Sequence, residues 1–139
     1  MSARTKARKR AVDAVFAADL RKQNPVELLK TTEQETADRQ NQGEQFGYAA
    51  EIVNGIVDNY ESIDDAIETA SHQWKIERMP ALDRAILRVA IWELLYNDQV
   101  PDAVAISEAV ELAKEYSTED SSGFINGVLN QITATKRAL

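Results

Sequence analysis

Five cationic side chains lie within the first ten residues and form the most concentrated chemical signal in this sequence. They are Arg4, Lys6, Arg8, Lys9 and Arg10, with no acidic residue among them. Clustered Lys and Arg side chains neutralise phosphates and release the counterions that surround a nucleic acid. The cluster therefore favours nucleic-acid contact over the alternative of a merely solvated charged segment.

The charge is unevenly distributed along the chain. The formal net charge is -7 over 139 residues, yet residues 1–22 carry +5 and the remaining residues carry -12. An acidic body repels nucleic acid in general, whereas a basic segment attracts it at one place. The asymmetry predicts one localised contact with an anionic partner.

The helical geometry of the basic segment predicts that it does not pack. At about 100° per residue the five cations surround a helix axis and leave no wide apolar face. We therefore expect residues 1–10 to project as a frayed or disordered arm, with the packed helix beginning near Ala11. Membrane docking needs an apolar face beside a basic one, so no membrane contact is predicted.

Motifs of known catalytic sites are absent from the sequence. There is no cysteine, no Gly-rich phosphate loop, no H-E-x-x-H and no G-x-S-x-G. His72 is the single histidine, which excludes a His-based metal site and leaves one imidazole base. Asp64 and Asp65 are adjacent, so on a helix their side chains diverge by about 100°. We expect a protein without enzymatic activity, cofactor or metal.

Hydropathy points to the cytoplasm. No apolar segment follows the charged N-terminus as in a secretory signal. No run approaches the ~20 apolar residues of a membrane span. A cytoplasmic location is the expectation.

The elements that must position the cations are helices. Apolar residues recur at helical spacing and sustained period-2 alternation is absent, which predicts an all-α domain of about six or seven helices. The first helix is expected to bury Val12, Val15, Phe16 and Leu20. The predicted helices cover about 5–22, a short segment from Pro25, 44–60, 62 to before Pro80, 81–98, a segment from 102, and a last segment through 132.

Two of these helices have candidate capping boxes, in which a Ser or Thr hydroxyl and an acidic side chain satisfy backbone amides of the first turn. Ser62 begins the sequence SIDD and places Asp65 at the third helical position. The sequence from Ser117 to Asp120 is the second candidate, before the last helix.

A short sequence pattern occurs twice, once in each of two predicted helices, and forms an internal echo. Residues 52–57 read IVNGIV and residues 124–129 read FINGVL. A glycine costs a helix about 1 kcal/mol relative to alanine, so we expect each glycine to allow close helix packing. The echo is compatible with two similar helical subdomains and equally with chance.

The C-terminal half resembles the NusB family of transcription antitermination factors. The segments that carry the resemblance are LDRAILRVAIWEL, VPDAVAISEAVELAK and the acidic-serine junction EDSSGFINGVL. The N-terminal ARKRAVDAVFAADL is similar to that family's arginine-rich start. The middle of the chain matches in helical character alone.

The resemblance implies both a fold and a function. The fold would be an all-α NusB-like bundle of two small helical subdomains, here residues 11–78 and 79–139 after the basic arm. The function would be pairing with NusE, a small-subunit ribosomal protein, on the boxA element of leader and ribosomal RNA transcripts. That pair helps to make RNA polymerase resistant to termination.

The resemblance also implies RNA-binding residues. Arg4, Lys6 and Arg8 fall where the family has RNA-contacting cations, and Lys9 and Arg10 add cations beyond that pattern. Phe16 stands where relatives often have tyrosine. The second RNA-facing motif would consist of Asp120, Ser121, Phe124 and Asn126. For Phe16 and Phe124 ordinary core packing is an equal alternative.

Two other functions stay open at this point. A protein-only helical adaptor could use the basic arm to bind an acidic partner. A detached RNA-binding domain of a ribosomal RNA methyltransferase would share the helical character without a cofactor loop. The sequence also leaves open a homodimer that hides the RNA-binding face, and it does not assign the NusE interface to residues.

Overall fold

The helical spacing of the apolar residues is expressed as seven α-helices in a computed structural model, which describes residues 2–36, 42–72 and 74–138. Those ranges contain no strand, and a 3-10 turn at Ile76–Arg78 precedes the fifth helix. The all-α prediction is confirmed. The helices are α1 Ala3–Arg21, α2 Pro25–Glu35, α3 Gln42–Asp58, α4 Tyr60–Ala70, α5 Ala81–Tyr96, α6 Asp102–Tyr116 and α7 Glu119–Ala138.

Helix α5 is the centre of the core. Every residue from Ala85 to Leu94 is buried, and the helix contacts α1, α3, α4, α6 and α7. A helix buried on all sides belongs in a protein interior, where a charged side chain has to be paired. Arg88 meets this requirement through two 2.9 Å hydrogen bonds to the carboxylate of Asp64.

The prediction of a projecting basic arm is wrong for residues 3–10. Helix α1 begins at Ala3, where the Ser2 hydroxyl accepts the N–H of Thr5 at 3.0 Å as an N-cap. Ala7 and Arg8 are buried. Small alanine side chains such as Ala7 let the helix approach its neighbours, and the buried Arg8 forms an ion pair with the carboxylate of Glu93.

The buried stripe predicted for α1 is correct in part. Val12 and Val15 are buried and Phe16 packs partly against the core. Leu20 lies 60% exposed near the end of the helix, so its predicted burial is wrong.

Neither capping box has the predicted geometry. Helix α4 begins at Tyr60, so Ser62 lies in its first turn and donates to the carbonyl of Asn59. At α7 the hydroxyl of Thr118 accepts the N–H of Ser121 at 3.1 Å. Thr118 rather than Ser117 therefore caps that helix.

The two echoed glycines have different environments. A Cβ atom on Gly55 would lie 1.8 Å from Nε1 of Trp92, so α3 and α5 approach closely there as predicted. At Gly127 no described atom outside the backbone of its own helix lies within 4 Å of such an atom, and the packing prediction is wrong for that residue. The division into subdomains at residues 78 and 79 stays a prediction.

Among the described residues, no helix combines the length and the apolar character needed to cross a bilayer.

Candidate nucleic-acid interface

The five N-terminal cations separate into one buried and four outward-facing side chains. The Nε of Arg8 donates to both carboxylate oxygens of Glu93, at 2.8 and 3.0 Å. Its Nη1 lies 3.4 Å from Glu108. Arg8 is 3% exposed, which conflicts with the role in phosphate contact expected from the resemblance. Its position is in the core.

A polar network fixes the first turns of α1 to α3 and α5. Burial alone would lower the pKa of Arg8, but the hydrogen bond and charge of Glu93 raise it, so the guanidinium stays charged. The Tyr48 hydroxyl donates to Glu93 and accepts from Nδ2 of Asn97 at 3.0 Å. Burial, followed by the hydrogen bond to Glu93, raises the pKa of Tyr48.

Aromatic rings and one carboxylate position the outward cations. The Arg4 guanidinium lies 4.3 Å from the centroid of the Tyr48 ring, and that of Arg10 lies 4.9 Å from the Phe46 ring. Such cation–π contacts hold a side chain without neutralising its charge. Lys9 is held differently, 2.8 Å from Glu115. The side chain of Lys6 is exposed.

A surface cavity collects three of these cations. Its volume is ≈ 340 Å³, and it combines Lys6, Lys9 and Arg10 with the carboxylate of Asp13. Asp13 is exposed, but partial desolvation by the surrounding protein raises its pKa, and the charges of Arg10 and Lys9 oppose that shift. With Glu115 counted as the partner of Lys9, three cations face two carboxylates, so a net positive charge that suits an RNA phosphate is left. The remaining lining residues are Gln42, Gln45 and Tyr116.

The acidic-serine junction is organised by a buried carboxylate on α5. Asp83 accepts from the hydroxyl of Ser121 at 3.0 Å and from that of Ser117 at 3.4 Å. Burial raises the pKa of Asp83, while the two hydroxyl hydrogen bonds act in the opposite direction. The Ser121 hydroxyl is thus directed inward. Asp120 and Asn126 are exposed on α7.

The start of α5 contacts both the junction before α7 and the C-terminal end of α1. Asp83 binds the junction, and the adjacent Arg84 donates to Asp19 of α1 at 2.7 Å. Lys9 of α1 lies 5.1 Å from the ring centroid of Tyr116. Tyr116 is the last residue of α6 and precedes the junction. The Lys9 contact therefore places the basic face of α1 beside the segment that leads into α7, whereas the Arg84 contact ties the C-terminal end of α1 to the start of α5.

Both candidate RNA-binding phenylalanines are partly buried. Phe16 and Phe124 each pack against the core while keeping some exposed surface, so packing and RNA contact are compatible at both positions. Phe124 also lies against Trp74, with ring centroids 5.7 Å apart and planes inclined by 33°.

Several residues that shape this surface were not predicted from the sequence. Glu93 and Asp83 lie within apolar helical segments. A single carboxylate at a core position of such a segment was the sequence signal that could have identified them. Trp74 lies in the polar sequence SHQWK, where a large apolar residue is out of place. Tyr48 gave no distinguishing signal.

The described residues form an all-α protein whose first helix carries a cationic face. The model of the NusB family matches residues 5–134, and the chain belongs to that family.

Two bacterial relatives, each named transcription antitermination protein NusB, match nearly the whole chain. The protein of Leifsonia xyli subsp. xyli is 54% identical over 136 residues, which cover 98% of this chain and 94% of the relative. That of Clavibacter sepedonicus is 48% identical, with coverage of 98% and 99%.

Solved structures show the same fold. NusB in a crystal structure with NusE and double-stranded RNA has a TM-score of 0.85 and 30% identity, covering 97% of this chain and 98% of that one. T. maritima NusB has a TM-score of 0.84 and 32% identity, with coverage of 98% and 97%.

Proposed function

We propose that this protein is a transcription antitermination factor that binds the boxA RNA of ribosomal RNA and leader transcripts together with NusE, and so makes RNA polymerase resistant to termination. The observation that carries the proposal is near-full-length similarity to NusB proteins, including one crystallised with NusE and double-stranded RNA. The function requires no catalysis by this chain, and we infer that it acts in the cytoplasm.

The RNA-binding surface we propose combines the outer face of α1 with the first two turns of α7. Lys6, Lys9 and Arg10 would meet phosphates in the cavity that they line. The exposed ring surfaces of Phe16 and Phe124 would contact bases, since unpaired RNA is read by stacking and base-edge hydrogen bonds. Arg4 would extend the cationic face. On α7, Asp120 would border the RNA, and Ser121 would hold the start of the helix through its hydrogen bond to Asp83. Asn126 is about 200° around the helix from Phe124 and lines a separate cavity with Ile106 of α6, so the proposed surface leaves it out.

Arg8 does not belong to the proposed RNA-binding surface. Its guanidinium is buried, donates through Nε to Glu93 and lies near Glu108, so its contribution is to hold α1 in place. The cations around it are then presented from a fixed helix rather than a mobile arm. A fixed helix loses less conformational entropy when RNA binds.

Direct binding tests the proposal. Fluorescently labelled RNA oligonucleotides, one with a boxA-type sequence and one scrambled, would be titrated with this protein, with and without saturating NusE. We expect tighter binding of the boxA-type RNA, strengthened by NusE. Equal weak binding of both RNAs in the presence of NusE would contradict the proposal.

The same titration separates the protein-only adaptor. An adaptor of this kind should bind NusE or another protein, and it should bind the boxA-type and the scrambled RNA equally. The methyltransferase-domain alternative is disfavoured, because this chain covers 94% of a relative that is named as an antitermination protein.

A further inference from the structure

Trp74 is an exposed aromatic residue in the connection between α4 and the 3-10 turn. It is 43% exposed, although an indole gains more than most side chains from burial. Single exposed apolar residues are common and need no explanation by themselves. Three further observations point to a functional role for Trp74.

The first observation is that Trp74 is held in place. The Ser71 hydroxyl donates to the backbone carbonyl of Trp74 at 2.9 Å, and the Trp74 N–H faces the same hydroxyl at 3.4 Å. Phe124 lies against the indole in a tilted stack. Offset aromatic packing of this kind adds stability beyond area burial, so the ring is presented as a fixed platform.

The second observation is the chemistry beside the ring. A surface cavity of ≈ 320 Å³ is lined by Trp74, His72, Lys75, Ser71 and Glu68. Lys75 can pair with a phosphate, and a glutamate such as Glu68 can accept from the exocyclic amino group of a base. An aromatic ring, a cation and a hydrogen-bond acceptor that line one cavity suit a nucleotide better than an apolar peptide.

The third observation is continuity with the candidate interface. Phe124 belongs to the same first turns of α7 as Ser121, which binds Asp83. The stack of Phe124 on Trp74 therefore extends the surface from the acidic-serine junction to the connection after α4.

We infer that Trp74 is a stacking residue for an unpaired RNA base, with Glu68 at the edge of the base and Lys75 near its phosphate. The inference deepens the proposed function and depends on it. It adds a base-binding position outside the two motifs that the sequence indicated.

Three variants test the inference in the full-length protein with the boxA-type RNA, in the presence of NusE. Trp74→Ala should weaken RNA binding roughly 5- to 150-fold, the range for loss of one base–aromatic stack. Trp74→Phe keeps an aromatic face and should stay within about threefold of the wild type. Tyr96→Ala is the control. Tyr96 is 42% exposed at the C-terminal end of α5, whereas Trp74 lies before the N-terminal end of that helix.

Fluorescence supplies a readout that a merely structural role would not change. The chain has two tryptophans, and the other, Trp92, is buried. RNA should quench the emission of the wild type and leave that of Trp74→Phe unchanged. Thermal melts by circular dichroism would establish that each variant is folded.

The outcomes are distinct. Unchanged RNA affinity in folded Trp74→Ala would overturn the inference and leave the proposed function intact. Weaker binding without quenching of the wild type would also overturn it, because Trp74 would then act through Phe124. Absence of boxA binding by the wild type, with NusE present, would overturn the inference and the proposed function together.

Discussion

At the scale of single residues, the buried ion pair of Arg8 and Glu93 decides how the cationic cluster is used. The side chains are 4% and 1% exposed, so neither charge can be solvated if its partner is lost. Cations of identical type therefore have different roles within one turn. Arg8 is structural, whereas Arg4, in the first turn of α1, faces outward over Tyr48.

We expect Arg8→Ala to destabilise the protein by about 3–5 kcal/mol, because it leaves Glu93 charged and buried without its partner. Arg4→Ala is the matched control and should cost less than about 1 kcal/mol, since it removes one exposed cation–π contact. Urea denaturation gives both free energies of unfolding. Equal values for the two variants would contradict the structural role of Arg8.

The buried carboxylate of Asp83 predicts a pH effect. Its pKa is raised in the folded protein, so the folded chain binds more protons than the unfolded chain between the two pKa values. The resulting stabilisation is fully present below the ordinary aspartate pKa of about 3.9 and is lost as the pH rises through the raised value.

Asp83→Asn tests that effect, because the amide does not titrate. The free energy of unfolding of the wild type, minus that of the variant, should decrease as the pH rises from about 4 to 7. Asp120→Asn removes an exposed carboxylate near the same helix junction and serves as the control. A wild-type advantage over Asp83→Asn that grows with pH would show that the sign is wrong.

At the scale of elements, close approach of α3 to α5 depends on Gly55. The indole of Trp92 occupies the space that a Cβ atom would need. Trp92 is buried and its ring packs edge-on to Tyr48 at a centroid distance of 6.4 Å, so it has little room to move. The contact also supports Tyr48, which belongs to the network that holds α1.

The echoed glycines provide a matched pair of variants. Gly55→Ala should destabilise the protein by about 1–3 kcal/mol through overpacking, even though alanine favours helix. Gly127→Ala should stabilise it by up to about 1 kcal/mol, because no atom lies near the added methyl group. Thermal and urea unfolding measure both effects. Stabilisation by Gly55→Ala would show that Trp92 adjusts without cost.

At the scale of the whole molecule, charge is divided between a basic face and an acidic body. Residues 1–22 carry +5 and the rest carries -12. Repulsion from the body opposes RNA within the Debye length of about 8 Å at physiological salt. The free protein is therefore expected to bind RNA weakly.

Salt dependence reports how many cations meet phosphates. If Lys6, Lys9 and Arg10 each contact one phosphate of single-stranded RNA, the slope of log affinity against log salt should be roughly -2. Lys6→Ala should make the slope less steep by about 0.7. Lys30→Ala, on α2 beside Glu27, should leave it unchanged. A slope that Lys6→Ala does not alter would exclude this lysine from phosphate contact.

The weak binding of the free protein predicts coupling to NusE. A partner beside the basic face would extend the contact surface, and by thermodynamic linkage RNA should tighten the NusE complex by the same factor. Calorimetric titrations of RNA with and without NusE, and of NusE with and without RNA, measure the two factors. Identical RNA affinity in both RNA titrations would show that this protein recognises boxA unaided.

The sequence by itself determined the helical class and most of the helices. Spacing at 3.6 residues identifies a buried stripe wherever one face of a helix meets the core, as for Val12 and Val15 on α1. Local patterns were weaker at helix ends. Ser62 and Ser117 have the residue types of caps, but the helices begin at neighbouring positions, because packing of the flanking segments competes with a cap contribution of about 1 kcal/mol.

Only the tertiary structure decided which cations of residues 1–10 are buried and which face outward. Angular spacing alone predicts that every cation of residues 1–10 is solvated, whereas Glu93 lies 85 residues from Arg8 along the chain and reaches it through the packing of α1 on α5. The contacts of Asp83 with Ser121 and of Trp74 with Phe124 also join residues that are far apart in the sequence. Periodicity reports the environment of a helix face, and the identity of the partner on the facing helix depends on how the helices are arranged in three dimensions.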